Sequence, residues 1–89
     1  MTHLPKPNLH VIATAFDNGE GVLIDLQNKR YYQLNETGLL IWQELEAGHT
    51  RAQVIAALMA AYEVAEEQAQ ASVLRLLNDL QQLELLSEK

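Results

Sequence analysis

Between residues 9 and 34 apolar and polar side chains alternate along the chain. From residue 36 onward apolar positions recur every three or four residues instead. The first pattern predicts strands and the second amphipathic helices. In residues 9–16, Leu9, Val11, Ala13 and Ala15 fall on one face and His10, Ile12, Thr14 and Phe16 on the other. This predicts a strand with both faces partly covered. Asp17-Asn18-Gly19-Glu20-Gly21 predicts a turn, because Asn and Gly adopt positive φ at little cost. Residues 22–26 predict a second strand, Gln27-Asn28-Lys29 a tight turn, and residues 30–34 a third strand. The product is a three-stranded antiparallel meander. Residues 4–8 are flanked by proline and read as irregular.

Asn35 stops the third strand and can cap a helix over residues 36–46, because its side-chain oxygen can accept an orphan N–H of the first turn. Leu39, Leu40, Ile41, Trp42 and Leu45 form that helix's wide apolar face, and Gly48 is its predicted stop. Thr50, with Gln53 three residues on, predicts a capping box at the start of a second helix. Its stripe is Val54, Ile55, Leu58 and Met59, and it ends near Tyr62. A third helix is predicted from about residue 66 to 83 or slightly beyond. Ala69, Val73, Leu76, Leu77, Leu80 and Leu83 recur at helical spacing. Glu66 and Glu67 sit in its first turn, where negative charge suits the helix dipole.

Three strands followed by three helices predict an α+β, winged helix-turn-helix-like domain. At 89 residues the chain reads as a single domain, 1–89, with a thin core. Net charge is −6, from twelve acidic and six basic residues. The only adjacent basic pair is Lys29-Arg30. The second helix offers only Arg51, and the third only Arg75, as cations for a phosphate backbone. That count stands against nucleic-acid binding and a winged-helix transcription regulator. No cysteine is present, which excludes disulfides and thiolate chemistry. No apolar run approaches the ~20 residues that span a bilayer, and nothing resembles a secretory signal. A cytoplasmic protein without a membrane partner is the expectation.

Catalytic chemistry finds little support. His3, His10 and His49 are scattered, and none pairs with a carboxylate at ligand spacing. Exposure or a structural role outweighs a metal site by roughly ten to one on the donor geometry a site requires. Ser72 and Ser87 have no histidine partner. Gly19-Glu20-Gly21 does not open a helix, so it is no phosphate loop. Glu63, Glu66, Glu67 and Asp79 are better read as a solvated helix start than as an acid/base cluster. The expectation is no enzyme, no metal and no cofactor.

The run Tyr31-Tyr32-Gln33-Leu34 carries more information. Adjacent strand side chains point to opposite faces. If Leu34 is core, Tyr32 joins it, and Tyr31 with Gln33 lies on the other face. An exposed Tyr31 reflects β propensity on one reading and lines a peptide groove on the other; the residues alone favour neither. Trp42, in an apolar helical stripe, reads as core. Leu74 and Leu85 fall outside the third helix's narrow stripe, from close packing or as a second apolar surface. A small sheet with a free strand edge is a natural place to dock an extended peptide.

Taken in order, Leu23-Ile24-Asp25, Tyr31-Tyr32, Leu34-Asn35, Thr37-Gly38, Ile41-Trp42, Gly48-His49-Thr50, Tyr62, Val64, Val73, Leu77, Leu80 and Leu85-Leu86 resemble the PqqD-like superfamily. These are the recognition elements for ribosomally synthesised, post-translationally modified (RiPP) precursor peptides. The likeness spans residues 11–86 and is greatest to stand-alone leader-binding proteins of lasso-peptide biosynthesis. Members often carry Gly where this chain has Glu63 and Glu84, an Asp or Ser cap at Ala65, and Asp at Ser72.

The resemblance implies a non-catalytic adaptor that binds the leader segment of a ribosomally made precursor peptide. The leader would add as a strand to Lys29, Arg30, Tyr31, Tyr32, Gln33 and Leu34 and lie against the third helix. Tyr31 and Gln33 would reach into the groove, with Tyr32 as its floor. Val73, Leu74, Leu76, Leu77 and Asp79 would contribute from the helix, and Arg30 and Arg75 would meet leader carboxylates at the rim. The implied partner is a lasso-peptide leader peptidase. The alternative within the family is a PqqD-type chaperone for a radical-SAM peptide-modifying enzyme. The free strand edge implies a monomer in dilute solution, with strand-mediated or swapped dimers when concentrated.

Overall fold

Two hairpin turns gather the alternating half of the chain into one sheet, and the helical half covers one side of it. The computed structural model describes residues 4–87; His3, weighed above as a metal ligand, lies outside them. The described residues form β1 (Lys6–Pro7), β2 (Val11–Ala15), β3 (Gly21–Asp25), β4 (Arg30–Leu34), α1 (Glu36–Glu46), α2 (Arg51–Tyr62), α3 (Glu66–Gln82) and β5 (Leu86–Ser87). The architecture is α+β: the antiparallel sheet β2-β3-β4 followed by three helices. Val11 lies opposite Asp25 in one pair, and Asp25 opposite Arg30 in the next.

Side chains fold each turn onto its own backbone. Asn18 Oδ1 accepts the Glu20 N–H at 3.0 Å. Asp25 Oδ1 accepts the N–H groups of Gln27 and Asn28, both at 3.1 Å, while Oδ2 accepts Asn28 Nδ2 at 2.9 Å. These donors favour the charged carboxylate. The Asn28 side chain acts most strongly, and together they hold Asp25 below the ordinary aspartate value against the opposing effect of burial.

Val11, Leu23 and Leu34 on the inner face are buried, and Tyr32 packs partly against the core. Ile12 and Tyr31 point the other way and are 47% and 77% exposed. The expected strand with both faces partly covered thus has a packed inner side at Val11 and a half-open outer side at Ile12 and Phe16. α1 packs on β3 and β4, α3 faces β4 across a cleft, and α2 packs on α1 and α3; no element among the described residues covers the outer face.

The helices begin and end where local chemistry directs. Asn35 Oδ1 accepts the Gly38 N–H at 2.8 Å. Thr50 and Gln53 form the reciprocal capping box. Ala65 precedes α3 without a side-chain cap. Glu63 and Glu84, where the family often has glycine, adopt left-handed backbone at φ 53° and 60°. Trp42, Val54, Val73 and Leu80 are fully buried at the centre of the core.

Residues 4–8 are not wholly irregular. Lys6 pairs with Ser87 and Pro7 with Leu86, making a two-stranded ribbon of β1 and β5. Asn8 extends it, its N–H donating to Leu85 O at 3.0 Å and its Nδ2 to Glu84 O at 2.8 Å. A two-residue strand carries no periodic signal, and its partner lies at the far end of the sequence.

Candidate functional site

The direction of the sheet's hydrogen bonds identifies what β4 leaves open. The Leu26 N–H donates to His10 O, and the Phe16 N–H to Glu20 O. Antiparallel pairs alternate between bonded and non-bonded. Val22, Ile24 and Leu26 therefore turn their backbone groups toward β2, leaving Gly21, Leu23 and Asp25 to face β4. Their partners Leu34, Tyr32 and Arg30 face inward in return. The N–H and C=O groups of Tyr31 and Gln33 point outward along the free edge.

Beside this edge runs a cleft of about 440 Å³ between β4, the start of α1 and the exposed side of α3. From β4 come Tyr32, Gln33 and Leu34. From α3 come Ser72, Arg75, Leu76 and Asp79, a stripe at helical spacing. Asn35, Thr37, Gly38 and Ile41 close its end. A Cβ on Gly38 would stand 3.1 Å from Leu34 Cδ2 and 3.2 Å from Asn35 Oδ1. Glycine thus lets the Asn35 cap and the Leu34 side chain approach this turn closely. Asp79 and Arg75 act on the Tyr32 phenol from the helix. Burial first, and then the Asp79 carboxylate, push its ionisation above the ordinary tyrosine value, while Arg75 opposes them.

Six of the residues singled out from sequence therefore meet in one cleft: Tyr32, Gln33, Leu34, Arg75, Leu76 and Asp79. Others go elsewhere. Val73 is fully buried in the core and does not reach the cleft. Leu74 and Leu77 turn to a separate depression with Leu4, Pro5 and Arg51, away from β4. Arg30 and Tyr31 border a smaller recess of about 100 Å³ with Leu23, Asp25, Tyr32, Leu83 and Leu85. Lys29 is exposed at φ 59° in the hairpin turn. The sequence reading missed Ser72 as a cleft residue. Its spacing of three, four and seven from Arg75, Leu76 and Asp79 was the available signal.

The cleft offers backbone hydrogen bonds, one cation, one carboxylate, uncharged polar side chains and an apolar strip of Leu34, Ile41 and Leu76. Among the described residues no three His, Asp or Glu side chains converge as metal ligands. No described helix is long and apolar enough to cross a membrane.

The sequence pattern of the family described as "Coenzyme PQQ synthesis protein D (PqqD)" matches residues 20–86. No protein of curated function matches the chain in sequence. Two solved structures resemble it over nearly their whole length. One is TbiB1 in complex with the TbiA(beta) leader peptide, at 30% identity and a TM-score of 0.85, covering 94% of this chain and 96% of that one. The other is a lasso peptide synthetase B1 complexed with the leader peptide, at 30% identity and a TM-score of 0.78, covering 91% and 93%.

Proposed function

Since the chain belongs to the PqqD family, we propose that it is a non-catalytic adaptor for the leader segment of a ribosomally made precursor peptide. The observation that carries this reading is the outward-facing backbone of Tyr31 and Gln33 beside the β4–α3 cleft. An extended segment laid along β4 continues the sheet and satisfies those groups. Leader residues opposite Arg30, Tyr32 and Leu34 then share the inner face with them. Their side chains, two residues apart, enter the small recess near Leu83 and Leu85 and the larger cleft near Arg75 and Asp79. Main-chain bonds supply affinity, and these two hollows supply selectivity.

The adaptor presents the bound leader to a separate processing enzyme. A lasso-peptide leader peptidase is the reading favoured by the two leader-bound relatives. A radical-SAM peptide-modifying enzyme is the reading favoured by the family's description. The adaptor works in the cytoplasm, where precursor peptides are made.

The test is fluorescence anisotropy with a labelled leader from the precursor encoded beside this chain's gene. Saturable binding is expected. N-methylation of the leader amides that face Tyr31 or Gln33 is expected to abolish it, since each removes a ladder donor. Binding unaffected by N-methylation throughout the peptide would reject strand addition. Absence of binding by every neighbouring precursor would reject the adaptor reading.

A further inference from the structure

The cleft is bordered by Gln33 alone of the outward strand positions of the β2-β3-β4 sheet. Ile12, Ile24 and Tyr31 form one row across its three strands. Val22 lies beside them, and Phe16 and Leu26 flank the ends. Ile12, Phe16 and Leu26 are 47%, 44% and 54% exposed, so the apolar surface is open to solvent. The outward strand positions 12, 14, 22, 24, 31 and 33 carry no charge, although the chain has twelve acidic and six basic residues. Depletion of charge around an apolar centre is the compositional mark of an interface.

The ends of this face differ in sign. Lys29 stands at the β3–β4 hairpin, and Asp17 and Glu20 at the β2–β3 hairpin on the opposite end. A twofold axis lying between two such faces, perpendicular to the strands, lays β3 on β3 with direction reversed. Each basic hairpin then meets the acidic end of the other copy, and the contact is made twice. Sheets pack in this way about 10 Å apart with strands within about 30° of alignment. From this self-complementarity we infer that the outer face docks a second copy of this chain, face to face and reversed.

Area sets the strength. Three strands of five residues span about 17 Å by 14 Å, or about 240 Å², well short of the roughly 800 Å² per partner of tight complexes. The dimer is therefore weak and reversible. Both β4 edges stay open in it, so two peptides can be held at once.

Sedimentation equilibrium of the full chain, from low micromolar to millimolar, tests the arrangement without any peptide. Its outcome is thus independent of leader binding. The average mass is expected to rise from one chain toward two. Ile12→Lys and Ile24→Lys, each confirmed folded by circular dichroism, are expected to remain monomeric. Lys29→Glu and the double variant Asp17→Lys/Glu20→Lys are each expected to associate less, and their mixture to recover association. A monomer at every concentration overturns the proposal. A dimer that survives both isoleucine changes overturns it too, by placing the contact elsewhere, such as the β4 edge. A mixture that fails to recover overturns the reversed orientation.

Discussion

Tyr32 on β4 and Asp79 on α3 stand on opposite walls of one cleft, phenol beside carboxylate. A strand and a helix far apart in sequence are thereby coupled at the place where an added peptide would pass.

That coupling is readable by titration. In a Tyr62→Phe background, which removes the other upward-shifted phenol, Tyr32 is expected to ionise above the ordinary value of 10.0. Asp79→Asn is expected to lower its midpoint, followed by ultraviolet absorbance. The folded state favours the neutral phenol. The stability it contributes is therefore complete below pH 10.0 and is lost as pH rises through the folded value. A midpoint unmoved by Asp79→Asn would remove the carboxylate as a cause.

The cleft and the Leu74 depression lie apart, and this separates their variants. Ser72→Trp places an indole in the cleft and is expected to weaken leader binding by more than about tenfold, or 1.4 kcal/mol. Leu74→Ala, which alters only the depression with Arg51, is expected to leave binding within about twofold. Anisotropy titration with circular dichroism as a folding control decides the matter. Equal losses from both changes would move the site.

Glu63 and Glu84 hold left-handed backbone without being glycine. That conformation costs a side-chain-bearing residue about 1–2 kcal/mol, partly offset by the entropy glycine loses on folding. Glu63→Gly and Glu84→Gly are each expected to stabilise the fold by about 0.5–1 kcal/mol. Urea unfolding should show a higher midpoint at unchanged slope. A lower midpoint would mean that these glutamates make contacts outweighing the strain.

Trp42 is fully buried, and its Nε1 has no hydrogen-bond partner among the described residues. Removing an unpaired buried donor recovers about 1–3 kcal/mol, which offsets much of the lost ring area. Trp42→Phe is expected to cost about 1 kcal/mol, against about 3–5 for Trp42→Ala. Denaturant unfolding followed by far-ultraviolet circular dichroism gives both values. Equal costs would reject the unpaired donor as a source of recovered stability.

Wherever one residue's chemistry determines its neighbours, the fold was legible in sequence. β4, the Asn35 cap, the Thr50–Gln53 box and the stop at Gly48 all carry local signals, and the structure has them where predicted. The covered side of β2 was not legible. Ile12 and Phe16 look like core residues until one knows that every helix lies on the other face. α3 misled in a related way. Its apolar arc drew attention to Val73 and Leu74, whereas the cleft-lining stripe is mostly polar, at Ser72, Arg75 and Asp79. Hydrophobic periodicity locates what a helix buries, and a polar groove is invisible to it.

The ribbon of β1 and β5 brings the two ends of the described chain side by side, fastened by Asn8. The backbone path is therefore nearly a closed ring. A short linker across that gap, with the ring reopened at the exposed Asp17–Glu20 hairpin, would yield a circular permutant. The same closeness lets residues 4–87 be spliced into a surface loop of an enzyme with entry and exit at one point. Cargo joined to either end would hang from the same place, so the order of fusion would hardly alter its reach.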